Sequence, residues 1–140
     1  MGKVLEVHLP VKPFSANRMH YANKKVDTKD YKVFKEKMSH ELKPYHFKVD
    51  ANDKYKLSLI VGYSSKLSDL DNAFKPTLDS MQLALGFDDR QIFEIEALKE
   101  HVKKGEEFMM IRLETLTEKQ WIRRMGNLFA EFWKDIKRKA

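Results

Sequence analysis

The 140-residue sequence predicts one α+β domain, a small mixed β-sheet of about four strands packed by helices, with the element order β-α-β-α-β-β-α. Three features carry that prediction. Apolar residues alternate at the strand period in two segments, recur at the helical period in three others, and the segments interleave within a length that holds one ordinary core.

Val4, Leu5, Val7 and Leu9 form a β-prone run that Pro10 and Pro13 stop, because proline supplies no donor to a strand ladder. Tyr31, Phe34, Met38 and Leu42 then recur at helical spacing, with Asp27 as the expected cap and Pro44 as terminator, which predicts a helix over 28–43. Tyr55, Leu57, Leu59, Val61 and Tyr63 alternate with mostly polar neighbours, the pattern of a strand with one buried face. Phe74, Leu78, Met81 and Leu85 make a second helical stripe that Gly86 closes. Pro76 deletes a donor there and disfavours helical geometry at Lys75, so either the regular helix starts at Pro76 or its first turn is distorted. Residues 92–99 and 108–114 read as the strands of a hairpin around Lys103-Lys104-Gly105-Glu106. Thr117 and Gln120 form a capping box, and Trp121, Met125, Leu128, Phe132 and Ile136 predict one long amphipathic helix. Its aromatic stripe, with Phe129 and Trp133, is read as core or dimer interface.

Charge is unevenly distributed. Residues 1–50 hold 11 basic and 6 acidic residues, 51–116 hold 9 and 12, and 117–140 hold 7 and 3, so a chain of net charge +6 keeps its acid in the middle. Basic ends permit contact with nucleic acid, although such runs are commonly solvated helix faces. With no cysteine there is neither a disulfide framework nor a thiolate metal site. No apolar run is long enough for a membrane span, and residues 1–11 are too polar for a secretory signal, so a cytoplasmic protein is expected. His8, His20, His40, His46 and His101 lack ligand spacing and read as surface or structural.

The acidic middle holds the most informative segment, Asp69-Leu70-Asp71-Asn72-Ala73-Phe74-Lys75, with Asp88-Asp89 beyond the second helix. Carboxylates are hard oxygen ligands suited to Mg²⁺. If extended, Asp69 and Asp71 leave one face of the chain, and the helix after them can return Asp88-Asp89 to the first pair. The plainer reading is that Asp71 caps a turn, Asp88-Asp89 forms a loop, and Asp79 is simply the i+4 ion partner of Lys75. On a helical first turn Lys75 can also lean over the acids and stabilise charge on a phosphate.

Those blocks, with Leu78-Asp79, Gly86 and Asp88-Asp89-Arg90-Gln91, resemble the D-x-D-N-x-x-K…D…DD-x-Q signature of the RusA family of Holliday-junction resolvases, found in bacteria and their phages. Pro13-Phe14-Ser15-Ala16-Asn17 is similar to that family's motif after the first strand, and the likeness covers roughly residues 3–114. The resemblance implies an endonuclease domain over 1–116; the amphipathic helix over 117–140, read from its own apolar pattern, is expected to pack on that domain or at a dimer interface. It implies that Asp69, Asp71 and Asp89 bind Mg²⁺, with Mn²⁺ as a substitute, that Asp88 accompanies them, and that Lys75 is catalytic. It further implies a homodimer that nicks four-way DNA junctions symmetrically in recombination and repair. Asn17, Arg18, Lys24, Lys25 and Lys66 are the candidate DNA contacts, and Met19, His20 and Tyr21 could stack on or wedge between bases. Ser68 stands where relatives often carry a basic residue, Pro76 is unusual after the lysine, and 117–140 extends past the usual core. The rival readings are a flap or single-strand nuclease and a non-catalytic recombination accessory protein. A small cysteine-free resolvase would suit a prophage.

Overall fold

The computed structural model describes residues 2–21 and 26–139. Four strands, β1 (Val4–Leu9), β2 (Lys54–Tyr63), β3 (Ile92–His101) and β4 (Phe108–Leu116), form one mixed sheet in the order β1-β4-β2-β3. β4 runs antiparallel to both β1 and β2, whereas β2 and β3 are parallel. Four helices complete the fold: α1 (Lys29–Leu42), α2 (Phe74–Leu85), α3 (Glu118–Leu128) and α4 (Ala130–Lys139).

The period-two pattern works as expected. Leu5, Val7 and Leu9 of β1, Tyr55, Leu57, Leu59 and Val61 of β2, and Met109, Ile111 and Leu113 of β4 are buried on one face of the sheet. Tyr31, Phe34, Met38 and Leu42 of α1 and Met81 of α2 fill the same core. The opposite face, with Glu6, His8, Lys56, Ser58, Ile60, Leu98, Met110 and Arg112, is an open groove.

The structure corrects the sequence reading in four places. The turn at 103–106 forms, with Glu106 N–H donating to the Lys103 carbonyl at 2.9 Å and Gly105 at φ +94°, but its flanking strands do not pair as a hairpin. β2 lies between them. The most apolar strand takes a central position, and β3, carrying Glu94, Glu96, Lys99 and Glu100, takes the edge, where charge blunts unwanted pairing. The cap of α1 is Thr28 rather than Asp27: its hydroxyl accepts the Tyr31 N–H at 3.1 Å, while Asp27 pairs with Lys35 and with His20. Asp69 and Asp71 do not share one extended segment, because Leu70–Ala73 is a 3₁₀ turn. The single C-terminal helix is two helices, broken at Phe129 (φ −139°, ψ 63°) just after the weak helix formers Gly126 and Asn127.

α2 follows the 3₁₀ turn directly, and Pro76 sits in its first turn, where its missing donor has no intrahelical partner to lose. Gly86 ends the helix in the left-handed conformation, φ +85°. α2 is therefore the crossover that parallel pairing of β2 with β3 requires.

Candidate active site

The fold carries the two acidic blocks to either end of α2. β2 ends at Tyr63, whose hydroxyl donates to the Asp69 carbonyl at 3.4 Å, and Lys99 of β3 donates to the Ser68 carbonyl at 3.0 Å. These two contacts hold the loop entering the first block. Asp69 occupies the capping position of the 3₁₀ turn yet makes no side-chain capping bond, and Asp71 lies in the first turn. Among the described residues neither carboxylate has a hydrogen bond or ion pair. Burial, followed by the charges of Asp69 and Asp71, pushes the Tyr63 hydroxyl above its ordinary pKa.

Lys75 is on the first turn of α2. Its ammonium bonds Asp79 Oδ1 at 2.8 Å, and this contact, followed after a desolvation cost by the charges of Asp79 and Asp89, keeps its pKa above the ordinary lysine value. The expectation that Asp79 is the ion partner of Lys75 is met. Asp79 Oδ2 accepts the hydroxyl of Tyr31 at 3.1 Å.

The second block forms a 3₁₀ turn, Asp89–Gln91, that Asp88 caps. Asp88 accepts the backbone N–H of Arg90 at 2.9 Å and the guanidinium of Arg90 at 2.9 Å, which holds its pKa far below the usual carboxylate range. Gln91 completes the capping box and reaches the Asp50 and Asp53 carbonyls at 2.9 and 3.0 Å. The backbone N–H of Asp89 donates to Gln82 Oε1 at 2.9 Å. Asp89 is thereby fixed by main-chain and neighbouring contacts, and its charge is felt by Lys75 and Arg90.

The candidate DNA contacts are spread around these turns. Asn17 lies in the 3₁₀ turn Ala16–Arg18, which Ser15 caps and which packs against both the Leu70–Ala73 turn and α2. Arg18 pairs with Asp30 at 2.6 Å over the Phe14 ring, and Lys66 is exposed. Lys24 and Lys25 lie outside the described residues, as does the side chain of Trp133. Of the stacking candidates, Tyr21 is exposed and Met19 is buried in the core.

Among the described residues no three His, Asp or Glu side chains are gathered into a ready-made metal cage. The donor set nonetheless suits Mg²⁺, which keeps much of its water and takes one or two carboxylates together with substrate phosphates. Among the described residues Asp69 and Asp71 are hard oxygen donors with no hydrogen bond or ion pair, so they could hold such an ion, while Asp89 is not gathered with them into one cluster.

A sequence model of the endodeoxyribonuclease RusA matches residues 10–114, three quarters of the chain. The chain belongs to the RusA endodeoxyribonuclease family. The match encloses Asn17, the whole acidic loop, Lys75 and Asp89, so the candidate site residues just placed lie within it, whereas α3 and α4 lie beyond. No curated protein matches the chain closely enough to add to this. Among the described residues no helix is long and apolar enough to cross a membrane.

Four residues that support this candidate site escaped the sequence reading. Gln82 had a usable signal, since Lys75, Asp79 and Gln82 are spaced i, i+4, i+7 on one helix face. Tyr63 was legible only as the last residue of a strand. Lys99 and Tyr31 reach the site through pairing and packing that no local pattern encodes.

Proposed function

We propose that this chain is a Mg²⁺-dependent, structure-specific endonuclease that resolves four-way DNA junctions in recombination and repair. The observation that carries the reading is the pair of carboxylates, Asp69 and Asp71, without a hydrogen bond or ion pair among the described residues, at the turn that opens α2, with Lys75 one helical turn away in a RusA-family chain. What a divalent cation supplies there when bound, with Mg²⁺ or in its place Mn²⁺, is polarisation of the scissile phosphate and a more acidic water.

The chain's own groups do the rest. Asp69 and Asp71 offer oxygen ligands and a negative field that orients the attacking water, and Asp89, whose charge reaches Lys75, is the third carboxylate that would join them when metal and DNA bind. Lys75 donates to a non-bridging phosphate oxygen as charge builds on it. Attack in line with the 3′ oxygen expels that oxygen and leaves a 5′-phosphate, an end that can be rejoined directly. Asp88, whose carboxylate is occupied by Arg90, serves mainly to shape the turn that presents Asp89. Asn17, Arg18, Lys66 and the Lys24-Lys25 pair would contact DNA phosphates, a sequence-independent attraction that suits recognition by shape.

Two nicks placed symmetrically on a four-way junction require two active sites, hence a homodimer. The apolar faces of Leu128, Phe129, Phe132 and Ile136, which stay exposed in the single chain, are the surface we assign to that contact. α3 docks on its own domain through Trp121 against Phe93 and through Arg124 on Glu94, which leaves α4 to reach a second copy. A cytoplasmic location is in keeping with a DNA substrate.

The test is cleavage of a synthetic four-way junction beside duplex, flap and single-strand controls, with Mg²⁺, using the native chain and Asp71→Asn. Paired, rejoinable nicks in the junction alone, lost in Asp71→Asn, are the expected result. Cutting of the controls would make this a nuclease of broader choice, and junction binding without cleavage would make it an accessory protein.

A further inference from the structure

We propose that Tyr31 is a positioning residue for the reaction, holding the Lys75 ammonium in place through the shared carboxylate of Asp79. The inference rests on Lys75 serving the chemistry as described above. The two oxygens of Asp79 have different partners: Oδ1 takes the Lys75 ammonium at 2.8 Å and Oδ2 takes the Tyr31 hydroxyl at 3.1 Å.

The two ends of this chain of contacts differ sharply in freedom. The Lys75 side chain is 60% exposed, and an exposed i,i+4 ion pair alone is too weak to hold a long side chain to one geometry. Tyr31 is only 2% exposed. Its ring stacks on Phe14 with centroids 5.5 Å apart and carries the Lys35 ammonium 4.5 Å above it, and its own N–H is taken by the capping hydroxyl of Thr28. Core packing and a helix cap therefore fix the tyrosine, its hydroxyl fixes the plane of the Asp79 carboxylate, and that carboxylate aims the lysine. A buried tyrosine hydroxyl needs an acceptor, and a backbone carbonyl would satisfy it; here the acceptor is the counter-ion of the lysine. Burial and Asp79 both raise the pKa of Tyr31, so it remains a hydrogen-bond donor throughout the working pH range.

Tyr31→Phe keeps the ring and removes only the donor. Two measurements are made on it: kcat and KM for junction cleavage with Mg²⁺, and the hydrogen-exchange rate of the Lys75 ammonium by ¹⁵N NMR in the DNA-free protein. Asp79→Asn provides a second variant at the middle of the network. Tyr31→Phe is expected to lower kcat by about 10-fold, short of the ~100-fold that a full 1 Å misplacement can cost, with KM little changed. Lys75 exchange should quicken in both variants. Native kcat and native Lys75 exchange in Tyr31→Phe would overturn the proposal, as would a fall in thermal stability with kcat unchanged. If the native chain cuts no DNA, it is the functional reading that fails, and the exchange rate alone then decides whether Tyr31 positions Lys75.

Discussion

The side-chain carbonyl of Gln82 accepts the backbone N–H of Asp89 at 2.9 Å, so α2 grips the second acidic block with one residue and, seven positions earlier, presents Lys75. Gln82→Ala frees the Asp89 turn without touching a carboxylate. Loss of such supporting contacts commonly costs 10- to 100-fold in activity or metal affinity, and we expect a value near the lower end, about 10-fold in kcat. Circular dichroism should show the fold unaltered.

The aspartates should not respond alike. Asp69→Asn and Asp71→Asn remove carboxylates that have no hydrogen bond or ion pair among the described residues, and each should lower Mg²⁺-dependent cleavage by more than about 100-fold, beyond the usual cost of a supporting contact. Asp88→Asn retains a residue that caps well and loses mainly the ion pair to an exposed arginine, so it should keep a tenth or more of native activity. Equal losses at Asp71 and Asp88, in single-turnover cleavage, would count against this division of roles.

Acid should unfold the domain through a few identifiable pairs. Lys3 holds Asp53 at 2.7 Å, Lys35 holds Asp27, and Arg124 holds Glu94, each lowering the carboxyl pKa in the folded state. A carboxyl depressed on folding stabilises fully above its unfolded value, here 3.8 for aspartate and 4.5 for glutamate, and that stabilisation is lost as pH falls through the folded value. Urea midpoints should be level from pH 8 to about 5 and then fall steeply below about pH 4. Asp53→Asn should lower the plateau and soften the fall.

Gly62 tests the packing of the sheet. A methyl group there would collide with the Phe108 ring, which stacks on His8 at 5.5 Å. Gly62→Ala should therefore destabilise the domain by about 1–3 kcal/mol, the usual cost of overpacking, as measured by chemical denaturation.

Phe132 is 66% exposed and Phe129 62%. Phe132→Asp should leave thermal stability of the isolated chain unchanged and shift sedimentation from dimer to monomer. An unchanged dimer mass would move the contact to another surface.

What the sequence revealed followed the range of the interactions involved. β1, β2 and the stripe of α2 were legible because burial on one face writes a period into the chain, and Gly86 marked its helix end because few other residues adopt φ +85°. The 92–99 and 108–114 strands were legible as strands, but their partner was not: adjacency in sequence suggested a hairpin, and a third strand from forty residues upstream had the stronger claim to the centre. Asp27 looked like a cap by residue type, and Thr28, one residue later, makes the bond. At the site, the spacing of Asp69, Asp71 and Lys75 was visible in one dimension, whereas the contacts of Tyr63, Tyr31 and Lys99 exist only once sheet and helices meet.

The sheet order also sets a timetable. β1 is made before the other three strands, and among the described residues it pairs with no strand except β4, with Lys3 and Thr115 exchanging hydrogen bonds across a separation of 112 residues. Closing so long a loop must precede any return from that pairing, which is the signature of slow assembly. During synthesis the acidic loop and Lys75 leave the ribosome well before β4, the strand that joins both halves of the sheet. The candidate site thus matures only after β4 has been made, and a chain that stops short of β4 lacks the strand on which the geometry of that site depends.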